Sequence, residues 1–165
     1  MPGRVRVVPG LRVVRLARLA RLVWSDLYIF GNQGYLDEQF CQVEDLQDEA
    51  SPNFAEEVVS LFFKDSARLV TNIEQAMEKY PKDFNRWDAH MQQLRGSCFS
   101  IGASKMNNEC TSFRNSCREE NAEGRSFQKV KREHAVLRQK LESYFQVIFV
   151  IPSFISWELL ITVPV

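Results

Sequence analysis

Phe84, Trp87, Met91, Leu94, Cys98 and Ile101 step along the chain by 3, 4, 3, 4 and 3. That spacing keeps every one of them on one side of an α-helix, and no strand can use it. A helix with a single apolar stripe must bury it against another element, and the neighbouring segments offer the same kind of surface. Met106, Cys110, Phe113 and Cys117 form one stripe, and Phe127, Val130, His134, Leu137, Leu141 and Tyr144 form another. Upstream, residues 54 to about 80 carry Phe54, Val58, Leu61, Phe62, Leu69, Ile73, Ala76, Met77 and Tyr80, and a shorter stripe uses Leu36, Phe40, Val43 and Leu46. Breaks fall between them. Gly31-Asn32-Gln33-Gly34 precedes the first, Ser51-Pro52-Asn53 follows it with Asn53 as an N-cap, Pro81 ends the second, and Gly124 lies in the turn before the last. Four long amphipathic helices joined by short connections bury their stripes against one another. The expected fold is all-α, an antiparallel up-and-down four-helix bundle with the Leu36 helix packed alongside.

The bundle accounts for residues 35–146, and both ends differ from it. Six of the 21 basic residues (Arg4, Arg6, Arg12, Arg15, Arg18 and Arg21) stand in the first 24 positions without one acid, leaving 15 basic against 21 acidic groups beyond them. Residues 1–34 read as a basic arm, disordered or weakly helical. Its arginines interrupt the unbroken apolar run that a secretory signal requires, although an organellar transit peptide shares its Arg-rich, acid-poor character. Residues 147–165 form an apolar tail with one charge, Glu158, and prolines at 152 and 164. Those features and the lack of basic flanks argue against a membrane span.

The remaining 15-to-21 balance makes the body mildly acidic, which argues against nucleic acid as a partner and for a protein partner with a basic rim. The four cysteines, Cys41, Cys98, Cys110 and Cys117, lie 57, 12 and 7 positions apart, without the spacing of a zinc site, and are expected to be reduced. Gly96 and Gly102 are not followed by Lys-Ser/Thr, so no Walker-type phosphate loop is present, and neither His-Glu-x-x-His nor Gly-x-Ser-x-Gly occurs. No cofactor, metal site or catalytic residue is assigned.

The third helix carries the candidate site. At 100° per residue its seam defines one sector, and Gln92 lies about 130° from the centre of that sector, facing outward. Gly96 and Phe99 follow on the same face, flanked by Gln93 and Arg95. A mid-helix glycine costs about 1 kcal/mol relative to alanine, so its place on a solvent face suggests the close approach of a partner.

The stretch Met91-Gln92-Gln93-Leu94-Arg95-Gly96-Ser97-Cys98-Phe99-Ser100-Ile101-Gly102-Ala103 resembles the signature of the plant histidine-containing phosphotransfer proteins, His-Gln-(Leu/Phe)-Lys-Gly-Ser-Ser-Ser-Ser-Ile-Gly-Ala. Leu36-Asp37-Glu38-Gln39-Phe40, the blocks around Asn53-Phe54 and Phe63-Lys64-Asp65-Ser66, Asn108-Glu109-Cys110-Thr111, and the run from Glu133-His134-Ala135 to Glu142 are similar to the same family. The resemblance implies a bundle that docks receiver domains of hybrid sensor histidine kinases and of response regulators in cytokinin-type signalling. It further implies a cytoplasmic and nuclear protein, and a monomer is expected.

One departure decides what is left of the activity. The position matching Gln92 is, in the family, the histidine that carries the phosphoryl group. An imidazole nitrogen has a free lone pair, whereas an amide nitrogen shares its own with the carbonyl. Gln92 is therefore a pseudo-phosphoacceptor, and Gln93, Arg95, Gly96, Ser97 and Phe99 are the expected receiver-docking residues. Arg95 stands for the family lysine, while Cys98 and Phe99 replace serines. His90 points about 160° away from Gln92, and His134 occupies a seam position, as expected of a hydrogen-bonded core histidine. The expected function is that of a pseudo-phosphotransfer protein that binds receivers and damps the relay. The alternatives are a carrier that uses His90 or His134 and a generic helical adaptor.

Overall fold

The computed structural model describes residues 34–48 and 50–161, with side chains as far as residue 148. Apart from Gly34, the basic arm lies outside the described residues. Five helices follow one another: α1 (Glu38–Asp45), α2 (Phe54–Lys79), α3 (Phe84–Ile101), α4 (Ser104–Arg118) and α5 (Gly124–Ile161). Each of α2 to α5 packs on the next, α5 returns to α2, and α1 lies against α3 and α2. This closed ring with short connections is the expected up-and-down bundle with an added helix.

The α3 stripe reaches the core as its spacing requires: Trp87, Met91, Leu94, Cys98 and Ile101 are buried and Phe84 packs at the edge. Met106, Cys110, Phe113 and Cys117 of α4 are buried too, as are Phe127, Val130, Leu137, Leu141 and Tyr144 of α5. Trp87 ties two helices together, its indole N–H donating to the carbonyls of Ala76 (3.3 Å) and Tyr80 (3.2 Å) at the end of α2. The α1 helix is held by Phe40, edge-on to the Tyr144 ring, and by the hydroxyl of Tyr144, which donates to Glu44.

Three expectations need correction, and a fourth, the Asn53 cap, holds in position without its side-chain bond. In α2 the seam is Ala55, Val59, Phe62, Ser66, Leu69, Ile73 and Ala76, a strict four-three alternation, and Leu61 is 66% exposed. Ser66 holds a core position because His134 meets its hydroxyl, and Ala55 is small yet fully buried, so choosing the bulkiest residues displaced the stripe. Leu46 is 65% exposed because α1 ends one residue before it. Asn53 occupies the N-cap position without a side-chain bond; the exposed end of α2 is capped instead by Gln47 Oε1, which accepts from the Ala55 N–H at 3.3 Å. Gly124 is the first residue of α5 and not part of the turn. The helix then continues past Pro152 to Ile161, so the change of composition at Val147 does not coincide with a helix end. Among the described residues no helix is long and apolar enough to cross a membrane.

His134 is a structural residue. Its Nε2 is 2.8 Å from the buried Ser66 hydroxyl, and its ring meets that of Phe63 edge-on. Burial, reinforced by the nearby Arg138 cation, lowers its pKa from the ordinary value of 6.5. The unfolded chain consequently binds a proton that the folded chain resists as pH falls below 6.5. His134 should cost stability between pH 6.5 and its lowered folded pKa, with no further loss below that. Urea denaturation across this range should show a smaller fall in stability for His134→Gln than for the parent; identical pH profiles would exclude His134 as the cause.

Candidate functional site

The third helix starts at a defined point because Asp83 caps it, Oδ1 accepting from the Arg86 N–H at 3.2 Å. The Asp83 carboxyl is held below its ordinary pKa by that backbone bond and by the Arg86 side chain. It stops at Gly102, which adopts φ +72° and directs its N–H back to the Phe99 carbonyl at 3.2 Å. Between these ends the seam faces inward, and the opposite face is presented whole.

Asp88, Gln92, Arg95, Gly96 and Phe99 form a continuous ridge on that face, spaced by three, four or one residue. Gln92, Gln93, Arg95 and Gly96 are exposed, Ser97 is half-buried, and Phe99 is 68% exposed. A Cβ built on Gly96 would meet nothing within 4 Å. The chain's own packing thus does not require glycine there. His90 is half-buried and off the ridge.

A second helix completes the site. Arg114 of α4 is buried and reaches across to α3, where Nε donates to Asp88 Oδ1 at 2.7 Å and an Nη donates to Oδ2 at 3.3 Å. The same Nη donates to Gln92 Oε1 at 3.4 Å. The paired bonds to Asp88 hold the guanidinium above its ordinary pKa. One turn further along α4, burial and the proximity of Asp88 push the Cys117 thiol up to about 11. Hydrogen bonding with Cys110 and burial raise Cys98 as well. Neither thiol is a thiolate nucleophile at neutral pH.

Arg114 and Asp88 escaped the sequence reading. The signal was there in part: Asp88 is four residues before Gln92 on the same ridge, and Arg114 is four after Cys110, at the edge of the α4 stripe. Nothing in the sequence pairs them across 26 positions. Elsewhere, a cleft of about 660 Å³ between α2 and α5 is lined by Val59, Phe63 and Phe145 with Glu56, Arg138 and Glu142, away from the ridge. Among the described residues no group of three or more His, Cys, Asp or Glu side chains could hold a metal ion.

The chain as a whole has relatives among known proteins. The chain is 81% identical over 119 residues to pseudo histidine-containing phosphotransfer protein 5 of Oryza sativa subsp. japonica, a match spanning 71% of this chain and 78% of the relative. The chain belongs to the histidine-containing phosphotransfer family. Pseudo histidine-containing phosphotransfer protein 1 of rice is 76% identical over 126 residues, covering 75% of this chain and 67% of its own length. Histidine-containing phosphotransfer protein 4 of Arabidopsis thaliana is 62% identical over 116 residues, covering 69% and 91%. In three dimensions the bundle matches the histidine-containing phosphotransfer protein MtHPt2 of Medicago truncatula with a TM-score of 0.69 at 37% identity, over 86% of this chain and 93% of that one. No family model matches the chain. The phosphotransfer family serves two-component phosphorelays, and this chain groups with relatives that carry the pseudo designation.

Proposed function

We propose that this phosphotransfer homologue docks receiver domains of hybrid sensor kinases and response regulators through the α3 ridge, takes no phosphoryl group from them, and so damps a cytokinin-type relay in cytoplasm and nucleus. It acts as a monomer. The observation that carries this reading is Gln92 standing exposed where the family signature has its histidine, with open space over Gly96 and an uncovered Phe99 beside it. The helix gives up stability to keep that space open, and an approaching protein surface is the reason for doing so. Phe99 supplies an apolar anchor, and Arg95 supplies an exposed cation.

Damping follows from mass action. A docked, inert bundle competes with active carriers in proportion to its concentration over its Kd, so it is effective only near or above that Kd. Titration calorimetry with receiver domains is expected to show binding, and Gly96→Arg is expected to weaken it by at least about tenfold by filling the approach space. Equal binding by both forms would show that the ridge is not the contact. Incubation with a phosphorylated receiver should leave no label on the chain; label would return His90 or His134 to consideration as carriers.

A further inference from the structure

The bond from Arg114 settles which end of the Gln92 amide faces outward. A guanidinium has only donors, so the amide end it meets must be the oxygen, and the contact is Oε1 at 3.4 Å. In a planar amide the N–H of Nε2 anti to that oxygen is then directed away from Arg114, on an exposed side chain. Arg114 is in turn fixed by its fork on Asp88. The surface thus presents an exposed amide NH2 with its oxygen engaged, at the point where the family signature has a nucleophile.

A phosphoryl carrier can react only if docking brings its nucleophile within about 3–3.5 Å of phosphorus. Gln92 occupies that position, and its side chain has a reach similar to that of histidine. In a complex with a phosphorylated receiver, its outward N–H2 group meets the phosphoryl oxygens; with an unphosphorylated receiver, the same donors face a gap. We propose that Gln92, positioned by Arg114, is a recognition residue for the phosphoryl group, so that the ridge binds the phospho-aspartate form of a receiver more tightly than the free form and holds that group without consuming it. The inference rests on the receiver-docking reading above and adds to it the state of the partner. No bond forms or breaks. The phosphoryl oxygens accept charge-assisted hydrogen bonds, and the exposed Arg95 adds a cation one turn along the ridge.

The test measures affinity for one receiver domain with Mg²⁺ alone and with Mg²⁺ and beryllofluoride, which mimics the phosphoryl group on the aspartate. The parent chain should bind the beryllofluoride form about tenfold to a hundredfold more tightly, the range that hydrogen bonds to a charged group provide. Gln92→Glu, which replaces the donors with an acceptor on an exposed side chain, should reduce that ratio to about one or below. Arg114→Lys keeps a cation beside Asp88 without the fork and should lower the ratio. Equal affinity of the parent for both forms, or tighter binding of the free form, would overturn the inference and leave the docking reading standing. Absence of binding to either form would overturn both. A ratio retained by Arg114→Lys would remove Arg114 as the positioning residue.

Discussion

Gln92→His is expected to make the chain a phosphoryl carrier, with label from a phosphorylated receiver rising from background to near-stoichiometric incorporation. The argument starts from the single missing element. The side chain at position 92 is exposed, the approach over Gly96 is open, and Phe99 and Arg95 flank it on the same ridge. What the parent lacks is a lone pair. The amide nitrogen is delocalised, while a neutral imidazole supplies a nucleophile at physiological pH. The substitution removes no buried group, so the fold should be unaffected. Incubation with a labelled receiver followed by acid treatment is the check, since a phosphohistidine loses its label in acid and keeps it in base. If Gln92→His binds the receiver yet stays unlabelled, the ridge around Phe99 holds its partner in a different register from the carriers.

The second large effect is on stability. Gly102→Ala is expected to cost about 2–5 kcal/mol, the sum of a left-handed backbone penalty and an overpacking penalty. At φ +72° any side chain is strained, and a Cβ would lie 2.5 Å from Asp37 Oδ1 and 2.6 Å from the Phe40 backbone nitrogen. The backbone of α1 cannot swing away cheaply, because the Asp37 N–H donates to the Gly102 carbonyl at 2.9 Å and Phe40 is fully buried. Asp37→Ala alone should lose only about 1 kcal/mol, for the cap on Gln39. In the double variant the clash with Phe40 remains, so removing the Asp37 carboxylate should not rescue Gly102→Ala. Urea denaturation of the three variants decides it; a cost below 0.5 kcal/mol for Gly102→Ala would mean that α1 is not firmly seated on the end of α3.

The sequence carried the parts of this structure that depend on one helix at a time. The stripes of α3, α4 and α5 are periodic because each helix buries a single face, and burial follows them except at Phe84 and His134, which are half-buried. The outward direction of Gln92, Gly96 and Phe99 follows from the same geometry. Where two elements set the outcome together, the reading fell short. Ala55 and Ser66 are core residues because of what lies opposite them: Ser66 is buried with its hydroxyl on His134, a partner 68 positions away. Leu46 and Leu61 are apolar yet exposed, which no hydropathy pattern distinguishes from core. Arg114 is the strongest case. A buried cation reads as surface in any one-dimensional pattern, and only the packing of α4 on α3 brings Asp88 to neutralise it.

The Arg114 fork on Asp88 needs nothing from residue 92 to complete it. That support for position 92 is therefore independent of the side chain that stands there, and the glutamine codons CAA and CAG differ from the histidine codons CAU and CAC at the third base alone. A single third-base transversion therefore suffices to place an imidazole on this scaffold, which makes Gln92→His reachable in one mutational step.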